Sequence, residues 1–271
     1  MKRTAIHLTL AVTFVMFLVN SAIGAEFPLR EKYQDVIPVT LEDLNAKYDS
    51  TIIIDVRSKE EFDVVHIKKA QHVQVTKGSF IADLEKVRGK DDAVDIAFYC
   101  NGHTCAKSYK AAEKANSAGF KNIYCFDAGI FEWASTYPEK STLLGKSPVD
   151  PGKLISKDVL NAKKLAWAEF AAKATEANTL VVDIRDPFQR AKDASLDQNK
   201  TVNLKGVRNI PLERLTKLLA KGEFKNKQLL IFDAVGKQVR WLQYYLEEGG
   251  YSNYAFLTKG VLGAAEAGAV K

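Results

Sequence analysis

Short apolar runs alternate with stretches of helical spacing along the first half of the chain. Residues 52–54 form an apolar run and residues 94–99 are apolar except for Asp95, a pattern typical of central parallel strands covered on both faces. Apolar positions recur at helical spacing around residues 60–62, 77–87 and 108–117. This alternation predicts an α/β fold with right-handed crossovers, in which a mainly parallel central sheet carries helices on both faces.

The second half of the chain repeats the pattern of the first. Residues 179–185 (TLVVDIR) echo residues 51–57 (TIIIDVR) at a distance of 128 residues. Two later motifs repeat at a distance of 131 residues. A repeat of this length indicates a duplicated domain rather than a solenoid.

The segment between the two copies, residues 138–153, is polar and punctuated by Pro and Gly, which is typical of a linker. We therefore predict a first domain over residues 26–145, a linker over 146–153 and a second domain over 154–271.

Residues 1–25 have the three parts of a secretory signal peptide. Lys2 and Arg3 precede an apolar stretch over about residues 5–19, and small residues follow at 21–25. An uncleaved membrane anchor is the alternative, since the apolar stretch is nearly long enough to span a bilayer. The small residues favour cleavage, so we expect an exported protein, periplasmic in a Gram-negative cell.

Composition and charge narrow the function classes. The chain has 271 residues, 46% of them hydrophobic, which is enough for two ordinary cores. Its net charge is +6, but no dense Lys/Arg run or aromatic–basic stripe is present, so we expect no nucleic-acid partner. No metal or other cofactor is expected, because the sequence has no metal-ligand spacing and no glycine-rich nucleotide loop.

Candidate chemistry concentrates in residues 97–108, AFYCNGHTCAKS. Cys100 ends an apolar run, a short loop with Gly102 follows, and helical spacing begins at Ser108. Loop amides and a helix N-terminus can bind an anion and stabilise a thiolate at such a position. Cys100 could equally be a small buried hydrophobe, as most free cysteines are. Spacing alone leaves both interpretations open.

The chain has three cysteines, Cys100, Cys105 and Cys125, which are too few for a disulfide framework. Cys100 and Cys105 could pair in an oxidising compartment, and the pair would silence the site until a reductant opened it. Cys125 lies in an apolar run and is expected in the core.

Ordered motifs over about residues 39–137 resemble those of the rhodanese family. They are TIIIDVR at 51–57, EF at 61–62, HI at 66–67, the loop from Tyr99 to Ser108, GF at 119–120 and DAGIFEW at 127–133. With the internal repeat, the chain resembles a tandem rhodanese protein, with two rhodanese-like domains.

The resemblance implies a sulfurtransferase with Cys100 as its catalytic residue. Cys100 would take the outer sulfur of a small sulfur-oxyanion donor such as thiosulfate and hold it as a persulfide, which a thiol acceptor, sulfite or cyanide then removes. The substrate-binding residues that it implies follow Cys100 in the loop: Asn101, Gly102, His103, Thr104, Cys105, Ala106 and Lys107. It implies a structural role near the site for Asp55 and Arg57.

The loop departs from the family pattern. The common form, Cys-x-x-Gly-x-Arg-Ser, places the Ser six positions after the Cys, whereas Ser108 follows Cys100 by eight. The usual Arg is absent, and His103 and Lys107 are the nearby cationic candidates to replace it.

The second domain has Asp233 where the first has Cys100. A carboxylate cannot carry sulfur and repels a sulfur oxyanion, so we expect this domain to be inactive. It would pack against the first domain or dock a protein partner.

Two other function classes stay open. One is a thiol–disulfide redox protein that uses Cys100 and Cys105, although Cys-x4-Cys differs from the usual Cys-x-x-Cys spacing. The other is a non-catalytic sulfur- or selenium-binding partner of an exported enzyme.

Overall fold

The structure is a computed structural model that describes residues 26–191 and 196–271. The predicted signal peptide, residues 1–25, lies outside the described residues. The chain divides into two compact units between Leu154 and Ile155. No helix in the described ranges is long and apolar enough to cross a membrane.

The first unit is built on a five-stranded parallel sheet in the order β1-β6-β5-β2-β4. Its strands and helices, in chain order, are β1 (Ile37–Pro38), α1 (Leu41–Ala46), β2 (Ile52–Asp55), α2 (Lys59–Val64), β3 (Val65–Ile67), β4 (Gln71–His72), α3 (Phe80–Arg88), β5 (Ile96–Tyr99), α4 (Lys107–Ser117), β6 (Ile123–Phe126), α5 (Gly129–Thr136) and β7 (Ser141–Leu143). Strands β3 and β7 form a separate antiparallel pair.

Residues 138–153 are more ordered than their Pro and Gly content indicates. Two short 3₁₀ helices, Pro138–Lys140 and Pro151–Lys153, flank strand β7 within this segment. The order has a simple cause, because β7 pairs its backbone with β3 in the body of the first unit.

The apolar runs are the central strands because both of their faces are covered. All four residues of β5 are buried, as are three of the four in β2. Helix α2 begins with a capping box, in which Ser58 and Glu61 each accept a hydrogen bond from the other's backbone N–H. The register pairs Asp55 with Tyr99, so the segments that follow β2 and β5 emerge side by side at one sheet edge.

The second unit has the same strand order as the first, β10-β9-β11-β12-β8, and all its neighbouring strands are parallel. Its elements are α6 (Lys157–Asn161), β8 (Lys164–Leu165), α7 (Trp167–Lys173), β9 (Thr179–Asp183), α8 (Pro187–Ala191), a 3₁₀ helix (Asp197–Asn199), β10 (Arg208–Asn209), α9 (Leu212–Ala220), β11 (Gln228–Phe232), α10 (Val239–Glu248), β12 (Tyr254–Leu257) and α11 (Gly260–Glu266). The predicted α/β class, with parallel sheets flanked by helices, is confirmed.

The loop after β5 lies directly against the first residue of α5. A Cβ on Gly129 would fall 2.4 Å from the backbone nitrogen of Gly102 and 2.5 Å from its Cα. Gly129 also has φ +75°, a conformation that L residues with side chains rarely adopt. Only glycine allows the two backbones to meet here.

We predict that Gly129→Ala lowers the free energy of unfolding by about 3 kcal/mol, because it adds a backbone clash to the strain of a positive φ. Gly119→Ala is the matched control, since Gly119 has φ +87° but nothing within 4 Å of its added Cβ. The control should lose about 1 kcal/mol. Urea unfolding of both variants checks this, and equal losses would contradict the close packing.

Candidate active site

Cys100 lies at the buried end of the loop that joins β5 to α4. It is 1% exposed, and its Sγ lies 3.3 Å from the Oγ of Ser108, a fully buried residue in the first turn of α4. This hydroxyl can donate a hydrogen bond to a thiolate at Cys100. Sequence spacing predicted the strand end and the helix start, and the structure adds the contact between them.

Cys105 is joined to Cys100 by a disulfide, with the two Cα atoms 6.4 Å apart. The N–H of Cys105 donates to the carbonyl oxygen of Gly102 at 2.8 Å, which folds the loop back on itself. This amide is therefore engaged within the loop, not free to bind a substrate. Cys105 is half-buried, whereas Cys125 is free and buried in the core, as the sequence predicted.

Asn101 holds the loop to the segments that follow β2. Its Oδ1 accepts from Nη1 of Arg57 at 3.1 Å, and its Nδ2 donates to Oε1 of Glu61 at 2.7 Å. The side chain thus bridges a cation and an anion, and it serves to position the loop backbone beside Cys100.

Glu61 is the buried carboxylate at the centre of this network. Its Oε2 accepts from Nζ of Lys107 at 2.8 Å and from the backbone N–H of Ser58 at 3.1 Å. Burial alone would raise the pKa of Glu61, but the charges of Lys107 and Arg57 lower it to about 2. The carboxylate is therefore charged at neutral pH and ties α2 to the start of α4.

Arg57 and Asp55 form a fully buried ion pair. Nε and Nη2 of Arg57 donate to the Asp55 carboxylate, and Nη2 also donates to the carbonyl oxygen of Val65. Burial lowers the pKa of Arg57, but Asp55 raises it by more, so it remains above its ordinary value. The pair links β2, β3 and, through Asn101, the Cys100 loop.

The side chain of His103 contacts the N-terminal segment and α5. Its ring stacks on Phe27 with 4.2 Å between centroids, and its Nε2 lies 2.9 Å from Oε2 of Glu132. The cations expected to replace the missing Arg, His103 and Lys107, are thus each engaged by a carboxylate.

The remaining loop residues have distinct surroundings. Gly102 adopts φ +137°, and a Cβ there would lie 3.0 Å from the carbonyl oxygen of Ala128. Thr104 is exposed at the loop tip, and Ala106 packs against the core at the N-terminus of α4.

Comparison with known proteins identifies the first unit. A family model for the rhodanese-like domain matches residues 38–136. Thiosulfate sulfurtransferase GlpE of Pseudomonas fluorescens strain SBW25 is 33% identical over 87 residues, which are 32% of this chain and 73% of the relative. The chain belongs to the rhodanese-like family. GlpE of Pseudomonas putida strain GB-1 is 28% identical over 96 residues, covering 35% of this chain and 80% of the relative.

A solved structure of a thiosulfate sulfurtransferase from Pseudomonas aeruginosa is also similar to the chain. It is 17% identical, with a TM-score of 0.39, and the match covers 87% of this chain and 43% of that one. At this low TM-score, the family assignment depends on the sequence match.

The rhodanese-like domain brings Cys100, Cys105 and the Asp55–Arg57 pair to one sheet edge. The sequence interpretation gave no role at the site to three other residues that contact the loop: Glu61, Ser108 and Glu132. A signal for Glu61 was present, since Ser58-x-x-Glu61 is a capping-box pattern. Glu132 lies within the DAGIFEW motif, but nothing in the sequence indicated its contact with His103, which is 29 residues away.

The second unit has a carboxylate at the equivalent strand end. Asp233 is buried and accepts hydrogen bonds from four backbone N–H groups of the loop that follows; the donors are Val235, Gly236, Gln238 and Val239. Burial raises the pKa of Asp233, although these four donors oppose the shift. The loop amides of this unit are therefore occupied by the protein's own carboxylate.

No group of three or more His, Cys, Asp or Glu side chains within residues 26–191 and 196–271 could hold a metal ion.

We predict that Glu61→Gln lowers the free energy of unfolding by about 2 kcal/mol at pH 7, because it removes the charge that pairs with Lys107 and Arg57. The folded-state pKa of Glu61, about 2, lies below its ordinary value of 4.5. Its contribution is therefore complete above pH 4.5 and is lost as the pH falls toward 2.

Urea unfolding at pH 7 and pH 3 measures this difference, and the gap between wild type and variant should narrow at pH 3. Asp63→Asn, in the same helix, is the control. The Asp63 side chain is 42% exposed in its pair with Lys59, so the loss should stay within about 0.5 kcal/mol. A gap for Glu61→Gln that does not change with pH would contradict the assigned charge.

Proposed function

We propose that this protein is an exported sulfurtransferase that passes sulfane sulfur from a donor such as thiosulfate to a thiophilic acceptor through a persulfide on Cys100. The observation that carries the proposal is the place of Cys100 within the matched family region, at a buried strand end with a Ser108 hydroxyl 3.3 Å from its sulfur. Membership of the family supports sulfur transfer in general. Thiosulfate as donor is supported by the names of the relatives.

In the proposed reaction, the Cys100 thiolate attacks the outer sulfur of thiosulfate. The sulfur–sulfur bond of the donor breaks, and sulfite leaves with the electron pair. Ser108 would donate to the Cys100 sulfur, and Asn101 and Glu61 would hold the loop backbone in place. An acceptor thiol then takes the sulfane sulfur and restores the Cys100 thiolate.

For the second unit we propose an inactive rhodanese-like repeat over residues 154–271. Its strand order matches that of the first unit, and Asp233 fills the position that Cys100 has there. A carboxylate held by four amides leaves no thiol and no vacant anion site, so a role in docking a protein partner fits better than turnover. Export is proposed from the pattern of residues 1–25.

A second candidate is a thiol–disulfide redox protein. The bond between Cys100 and Cys105 favours it, because a disulfide with one half-buried sulfur can exchange with external thiols.

We predict that, immediately after mixing with thiosulfate, the reduced protein carries the mass of one additional sulfur atom, and that cyanide added at that point removes it. Cys100→Ser should gain none, because it lacks the attacking sulfur. Cys125→Ser is the control and should gain sulfur like wild type, since Cys125 lies buried in the core. The intact mass of the wild type and of both variants is measured. A gain of one sulfur atom by Cys100→Ser would rule out Cys100 as the carrier.

A further inference from the structure

The loop after β5 contains two cysteines whose sulfur atoms lie close together. Cys100 is buried and Cys105 is half-buried five residues later, and the two form a disulfide. Their Cα separation of 6.4 Å lies within the usual range for bonded cysteines. The turn from Gly102 to Cys105 brings the second sulfur back over the first.

We propose that Cys105 resolves the persulfide on Cys100 and releases sulfide, so that the protein reduces sulfane sulfur as well as transferring it. This inference rests on the proposed function, because it begins from the Cys100 persulfide. It assigns Cys105 a chemical step instead of a place among the substrate-binding residues.

The step balances within the chain. The Cys105 thiolate attacks Sγ of Cys100, and the bond between that Sγ and the sulfane sulfur breaks. The sulfane sulfur leaves with the electron pair as hydrosulfide and takes up the proton that Cys105 gave up. Two thiols are oxidised to one disulfide, and one sulfane sulfur is reduced to sulfide by the same two electrons.

The structure favours attack on Cys100 itself over attack on the outer sulfur. The observed bond shows that Cys105 reaches Sγ of Cys100 from within the loop. Only attack on this inner sulfur forms that disulfide and expels sulfide. Attack on the outer sulfur would merely move the persulfide to Cys105.

An external dithiol resets the site. Cys105 is the more exposed partner of the disulfide, so a reductant attacks its sulfur first and expels Cys100 as a thiolate. Cys100 then lies free beside the Ser108 hydroxyl, ready for a donor, while the second thiol of the reductant completes its own disulfide. A dithiol oxidation must therefore accompany each sulfide released.

The test is a single turnover of the reduced protein with thiosulfate, after the reductant has been removed. The wild type should release about one sulfite and one sulfide per chain, lose two thiols, and finish two hydrogen atoms lighter than its reduced form. Cys105→Ser should release sulfite but keep the persulfide, with sulfide formation at least ten-fold slower until a dithiol is added. Cys125→Ala, which alters the third and buried cysteine, should behave as wild type.

The outcomes separate this inference from the function on which it rests. Sulfide release by Cys105→Ser at the wild-type rate, or a stable persulfide on the wild type, would overturn the inference alone. If neither the wild type nor Cys105→Ser takes up sulfur, the proposed function falls and the inference falls with it.

Discussion

The buried pair of Asp55 and Arg57 sets the geometry on which the site depends. Both side chains are fully buried, so a guanidinium in this place is tolerable only because a carboxylate and a carbonyl oxygen satisfy it. The nitrogen of Arg57 that points away from Asp55 reaches Asn101, the residue after Cys100. The end of β2 thereby fixes the loop that follows β5.

The second unit has an equivalent buried pair, Asp183 and Arg185, and its arginine bonds the backbone of a different segment. Arg185 donates to Asp183 in the same way, and its Nη1 donates to the carbonyl oxygen of Lys200. The loop after β11 is held by its own backbone amides, which donate hydrogen bonds to the carboxylate of Asp233. The buried Asp–Arg pair is thus part of the fold in both units, and in the first unit it also positions the loop that contains Cys100.

The central strands could be predicted because they are continuous apolar runs, and β5 differs from the predicted strand only at its start, Ile96 instead of Val94. The edge strands β1 and β4 have two residues each, too few to show any periodicity. The reactive position in the loop could be predicted, because Cys100 follows the end of an apolar strand. The residues that hold the loop in place could not be predicted, because Asn101 and Glu61 are 40 residues apart and only the fold brings them together.

The two loops give the residue at the strand end different surroundings. In the second unit the loop turns its amides onto Asp233, an arrangement that binds negative charge. In the first unit the N–H of Cys105 donates to the carbonyl oxygen of Gly102, and the sulfur of Cys105 lies beside Cys100 at the strand end. Lys107 and His103, the side chains expected to draw an oxyanion inward, are each held by a carboxylate. A loop that provides a second sulfur beside Cys100 is better suited to supplying electrons than to holding an anion. We therefore assign the two residues by which this loop exceeds the common family pattern to reduction of the sulfane sulfur, and not to recognition of the donor.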